Sequence, residues 1–301
     1  MVSAVFHSPG ELLADAPPAA PALAAPAAPA AAAAPAKAAP RPGVDGRELA
    51  LRLLPPLLGL ALLLGFWALA TQKAGGPFPT PLATFEAAVK LFSDPFYSRG
   101  PNDQGIGWNI LFSLQRVALG FGLAAAVGIP LGFVIGRFQF AQRMVAPLIS
   151  LLKPVSPLAW LPIGLLVFQS ANPAAIWTIF ICSIWPMVVN TAAGVQRVPE
   201  DYLNVARVLK LSEWRVFTQI LFPAVLPHVL TGVRLSVGTA WLVIVAAEML
   251  TGGVGIGFWV WDEWNNLNVK HIIVAIFVIG IVGLALEWAL MAVARRFSFE
   301  E

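Results

Sequence analysis

Charged side chains inside apolar runs are the first places where this sequence could do chemistry. Lys153 precedes a cluster of three prolines, Pro154, Pro157 and Pro162, within an otherwise apolar stretch. Prolines remove backbone donors and free upstream carbonyls, a defect tolerated in a bilayer only where protein or a water-filled cavity receives those groups. An ammonium beside such a break must be hydrated, paired or facing an anion. Lys153, Pro154 and Pro157, together with Arg116, are therefore candidates for an anion path, with snorkelling or structural pairing the plain alternative for Lys153. Arg234 and Glu287 lie at matching depths in two other apolar runs and are expected to form a structural ion pair. Glu248, close to the outer end of its run, is expected to be solvated.

Other chemistry is poorly supplied. A single cysteine, Cys182, excludes an intramolecular disulfide and any multi-cysteine metal site, and three scattered histidines cannot form HExxH. Cys182 and His228 are expected to be packing residues. No lysine follows a glycine, so a phosphate-binding GxxxxGK[ST] loop is absent. Gly252 to Gly257 follows an apolar run rather than a strand and lacks the downstream acid of a dinucleotide site, so it reads as a flexible loop.

A charged stretch, residues 196–223, carries a different kind of function. Pro199 followed by Glu200 and Asp201 starts a helix, because proline lacks a donor that would be unpaired there and acids favour the positive dipole end. Lys210 and Leu211 make a turn, Ser212 caps a second helix, and that helix runs to Pro223. Tyr202, Val205, Leu209 and Trp214 give this hairpin apolar side chains that could enter a partner's groove.

These residues must be held by elements that a bilayer tolerates. Of 301 residues 58% are hydrophobic and 12% charged, too little polar surface for a water-soluble globule of this size. The net charge of +3 is too small and scattered to suggest nucleic acid. Six apolar segments, near 53–72, 110–136, 144–168, 173–195, 226–250 and 271–294, can each cross a hydrocarbon core about 30 Å thick. Domain organisation is accordingly a disordered Ala/Pro-rich tail over 1–46 and a membrane domain over 47–299, with a short surface helix around Thr84 to Phe92. With the N-terminus inside, twelve lysines and arginines fall on inner segments and four on outer ones, which predicts that both termini are cytoplasmic. Trp259, Trp261 and Trp264 are then expected at the outer interface. Gly128, Gly132 and Gly136, and likewise Gly232, Ser236 and Ala240, form small faces for close helix packing.

The hairpin also carries a resemblance. Asn204-Val205-Ala206, then Lys210, then Ile220-Leu221-Phe222-Pro223 has the spacing of the EAA loop of ATP-binding cassette importer permeases, with Asn204 in place of Glu and Lys210 in place of Gly. The stretches Lys153 to Pro162 and Ile244 to Met249 resemble the permeases for nitrate, aliphatic sulfonates, taurine and cyanate. Gly100 to Trp108, with Ser113 to Arg116, is similar to the nitrate branch. The resemblance implies an all-α, six-helix inner-membrane permease with a MetI-like core and no catalytic role. It further implies a second copy of the chain, a periplasmic substrate-binding protein, and separate ATPase subunits that bind ATP and magnesium and contact Tyr202, Asn204, Val205, Ala206, Leu209, Lys210, Leu211 and Trp214. A small anion is the expected cargo and lipid the surroundings, with no cofactor on this chain. The rival class is an ion-coupled secondary transporter, which would need internal repeats or a titrating membrane residue.

Overall fold

A computed structural model describes residues 46–74 and 78–294. The Ala/Pro-rich tail up to residue 45, and the inner arginines Arg295 and Arg296, lie outside them. The described residues form α1 (Gly46–Ala74), α2 (Pro81–Ser93), α3 (Ile106–Arg137), α4 (Gln139–Leu152), α5 (Pro157–Phe168), α6 (Ala171–Gln196), α7 (Glu200–Val208), α8 (Glu213–Val216), α9 (Phe222–Thr251), α10 (Ile256–Asn265) and α11 (Val269–Ala294). Among them there is no strand, only an isolated bridge between Ser98 and Gln104 that pins the loop before α3. In that loop burial, followed by the charge and hydrogen bond of Asp103, raises the Tyr97 phenol above its ordinary pKa.

Five helices are long and apolar enough to cross a membrane, and six if α4 and α5 count as one broken span bent by 101°. The break falls where the prolines predict it. Lys153 ends α4, Pro154 occupies the turn, and Pro157 takes the first position of α5, where its missing donor costs nothing. Pro162, by contrast, is carried inside α5.

The centre of the bundle is α6, the most buried span, flanked by α3 and α9. Small residues set the spacing: a side chain on Gly132 would meet Thr191 Cβ at 2.6 Å, and one on Gly136 would meet Val195 Cβ at 2.6 Å. On the other flank Gly232 backs onto Pro186 and Asn190, and Ser236 Oγ donates to the Ser183 carbonyl at 2.7 Å. Close approach of this kind drives helix association in lipid, where apolar burial alone supplies little. Cys182 is buried in the core, while His228 both packs against Gly194 and shares a 3.1 Å contact with Arg197 Nη1.

One boundary differs from the expectation. Pro223 does not end the second helix of the hairpin. The chain from Glu213 to Thr251 is one continuous helical path, with a π-turn over Phe217–Leu221 joining α8 to α9. The wider turn absorbs the register that a prolyl ring at 223 would otherwise disrupt. The hairpin is thereby fused to a membrane span.

Candidate functional site: a welded hairpin and a buried charge cluster

The hairpin presents one face outward and anchors the other. Tyr202, Val205, Leu209 and Trp214 are more than half exposed, and Asn204 and Lys210 are exposed as well. Ala206 and Val216 are buried with Leu221, Val225 and Val229 of the adjoining helical path and Phe133 of α3, and Leu203 and Leu211 pack partly against them. Ala206 is thus corrected from a partner contact to part of the anchor: at 2% exposure it reaches only its own chain. Leu211 is half-buried against the same anchor.

The turn explains how. Lys210 adopts a left-handed φ of 50°, its N–H donates to the Arg207 carbonyl at 3.0 Å, and the Leu211 N–H donates to the Ala206 carbonyl at 3.0 Å. This is the Schellman arrangement, which favours glycine at the left-handed position. Ser212 Oγ accepts from the Arg215 N–H at 3.4 Å and begins α8. Lys210→Gly removes the strain of a Cβ in that region and should raise the melting temperature of the purified protein, a gain of about 1 kcal/mol at most after the added unfolded-state freedom. Unchanged or lower melting would show that the lysine is unstrained there.

At the opposite end of the bundle a polar cluster replaces two separate expectations. Glu248 is not solvated but 1% exposed. Its carboxylate accepts from Ser113 Oγ at 2.8 Å, from the Gly257 N–H at 3.0 Å and from Arg116 Nη1. Arg116 also donates through Nη1 to the Val254 carbonyl at 2.7 Å and through Nε to Asn172 Oδ1 at 2.7 Å. Asn109 Oδ1 accepts from the Gly255 N–H at 2.8 Å. Arg116 is consequently a strut tying α3, α6 and α9 together rather than an open wall of a path.

The glycine loop is fixed by the same cluster. Gly252, Gly253 and Gly255 have φ of 75°, 92° and 158°, and a side chain on Gly257 would lie 2.1 Å from the Val245 carbonyl oxygen. Two backbone donors of the loop are spent on Asn109 and Glu248. It is a clasp of fixed shape, not a flexible connection. By turning the chain sharply it lays α10 against α9 and α11, so that Trp259 is buried and stacked on His271 with ring centres 5.9 Å apart. Trp261 and Trp264 remain exposed.

The remaining candidates divide. Lys153 and Pro154 are exposed and Pro157 half-buried, and Lys153 has no carboxylate partner among the described residues. Arg234 and Glu287 are brought together, with Nε donating to Oε1 at 2.8 Å and Nη2 to the same oxygen. Among the described residues no group of histidine, cysteine, aspartate and glutamate could hold a metal ion.

Spans packed through glycine, an anchored surface hairpin and an internal charge clasp define a helical membrane component. The chain belongs to the family described as the binding-protein-dependent transport system inner membrane component, which matches residues 128–299. It is similar to the nitrate import permease protein NrtB of Synechocystis sp., 47% identical over 236 residues that cover 78% of this chain and 86% of the relative. It is also similar to the bicarbonate transport system permease protein CmpB of Synechococcus elongatus, 42% identical over 238 residues, 78% of this chain and 86% of the relative. The fold matches a solved structure of inward-facing conformations of the MetNI methionine ABC transporter, with a TM-score of 0.56, 13% identity, and coverage of 64% of this chain and 95% of that one. This is the all-α fold of an ABC permease, a transport component.

Proposed function

We propose that this chain is the membrane-spanning permease subunit of an ATP-driven nitrate importer. The observation that carries the reading is the 47% identity, over most of both chains, to a protein named as a nitrate import permease. Two copies of the chain form the path between them in the inner membrane, with both termini cytoplasmic. Each copy meets one ATPase subunit through the exposed face of its hairpin, at Tyr202, Asn204, Val205, Leu209, Lys210 and Trp214. ATP and magnesium are held by those subunits, and this chain binds no cofactor. A periplasmic binding protein delivers the anion.

Because α8, the π-turn and α9 are one helical path, movement of the hairpin is transmitted to a span without an intervening hinge. On the path itself, Lys153 at the break between α4 and α5 offers a charge that replaces part of an anion's lost hydration, with Pro154 and Pro157 keeping the backbone open. The similarity to CmpB favours one second reading, bicarbonate import. Nitrate and bicarbonate are both small planar anions with three oxygens and one charge, so a path lined for one admits the other and selection falls to the delivery protein.

Deleting the gene should abolish growth on limiting nitrate as sole nitrogen source while leaving growth on ammonium intact. A requirement for high inorganic carbon instead, with nitrate growth unchanged, would transfer the assignment to bicarbonate.

A further inference from the structure

We infer that the groove between α9 and α11 is a transient seat for the transported oxyanion, in which Glu287 occupies Arg234 until the anion displaces it. The inference rests on the permease reading above and names a site for it. The groove encloses about 710 Å³. It runs from Ile279 and Gly280, about 16 Å along α11 from Val269 and so near the middle of a 30 Å core, to Glu287, about 27 Å along. The side chains of Arg234 and Glu287 are 54% and 39% exposed at that depth. The pair thus stands near the end of the core farther from Val269, where water reaches both charges, and the groove leads from it towards the midplane at Ile279 and Gly280.

The pair is built to open. Both Arg234 donors go to one carboxylate oxygen, Oε1, which leaves Nη1 and Glu287 Oε2 without hydrogen-bond partners among the described residues. A structural clamp would use the fork on both oxygens. An exposed pair is held weakly and yields to a competitor. Among the described residues Arg234 is the only cation lining the groove. The hydroxyl protons of Thr231 and Thr239 are spent on the carbonyls of Pro227 and Leu235, and Trp241 Nε1 is spent on the Ile279 carbonyl. Gly238 and Gly280, both exposed, have nothing within 4 Å of where a side chain would begin, so the groove is unfilled beside them. A flat anion with acceptor oxygens takes the free face of the guanidinium. Glu287 closing again then ejects it, which meets the requirement that a transported ion bind loosely enough to leave.

The test uses the full complex with its ATPase and binding protein in vesicles, with uptake of labelled nitrate normalised to assembled complex. Arg234→Gln, which removes one member of a weak, exposed pair, assembles at near wild-type yield, as does the double variant with Glu287→Gln. The double variant transports about tenfold less than wild type, the loss of one charge-assisted contact. Gly238→Leu, which fills open space one helical turn from Arg234 on the same face without removing either charge, assembles normally and falls by about as much. Wild-type transport per complex in either the double variant or Gly238→Leu overturns the seat, and failure of the wild-type complex to move nitrate overturns the permease reading instead. A phospholipid retained on wild type and lost from the double variant by native mass spectrometry, with uptake unchanged, would give the groove to lipid.

Discussion

Glu248→Gln should unfold the permease about 3–5 kcal/mol more easily, seen as a large drop in melting temperature in detergent and a low yield from the membrane. The amide removes the countercharge of Arg116, whose side chain is only 15% exposed, and a buried charge without its partner costs that much. It also turns an NH₂ group toward the Ser113 hydroxyl or the Gly257 N–H, both of which need an acceptor. The clasp should loosen with it, exposing the Gly252 to Gly257 loop to protease. Adding Arg116→Gln should recover part of the loss, because the two charges leave together. Near-wild-type melting of the single variant would show that the carboxylate is not charged or not paired in the membrane.

Truncating the outward face of the hairpin should have an equally large effect on a different quantity. Leu209→Ala and Trp214→Ala remove side chains that are 63% and 72% exposed, so the chain should insert and melt as wild type. If these residues fill a groove on the ATPase, each loss costs about 2 kcal/mol of association and the pair should weaken it about a thousandfold, read as loss of copurification. Ala206→Asp behaves otherwise, since its carboxylate would enter the anchor formed with Val216, Leu221 and Val225: it should lower melting as well as association. Wild-type recovery of the ATPase with the double alanine variant would remove the hairpin from the contact.

The hairpin was legible because its signals are local. Pro199, Glu200 and Asp201 mark a start, Ser212 marks a second, and Lys210 with Leu211 mark the turn between them, all within one short stretch. The spans were legible for the same reason, each being its own hydrophobic run. Which side of the hairpin faces inward was not local: Ala206 is buried by residues from α3 and α9, and nothing in its neighbours tells that burial from partner contact.

The charge clasp is not legible in the sequence for a geometric reason. Depth matching along the helices brings Arg234 to Glu287, but it keeps Arg116, ten residues into α3, away from Glu248, three residues before the end of α9. With 32 residues, α3 is longer than the roughly 20 that cross a bilayer, so counting from its first residue misplaces Arg116. The usable signal was chemical. Asn109, Ser113 and Arg116 lie on one face of α3 at helical spacing, an acid interrupts an apolar run at Glu248, and a glycine loop follows it. Buried polar groups must satisfy one another.

The most direct measurement of the central claim is uptake by vesicles that contain this chain with its ATPase and binding protein. The account predicts accumulation of labelled nitrate that requires ATP inside the ATPase compartment, persists when proton and sodium gradients are collapsed, and disappears when the ATPase is left out. Accumulation driven by an ion gradient without ATP, or ATP-dependent accumulation of bicarbonate with none of nitrate, would contradict it.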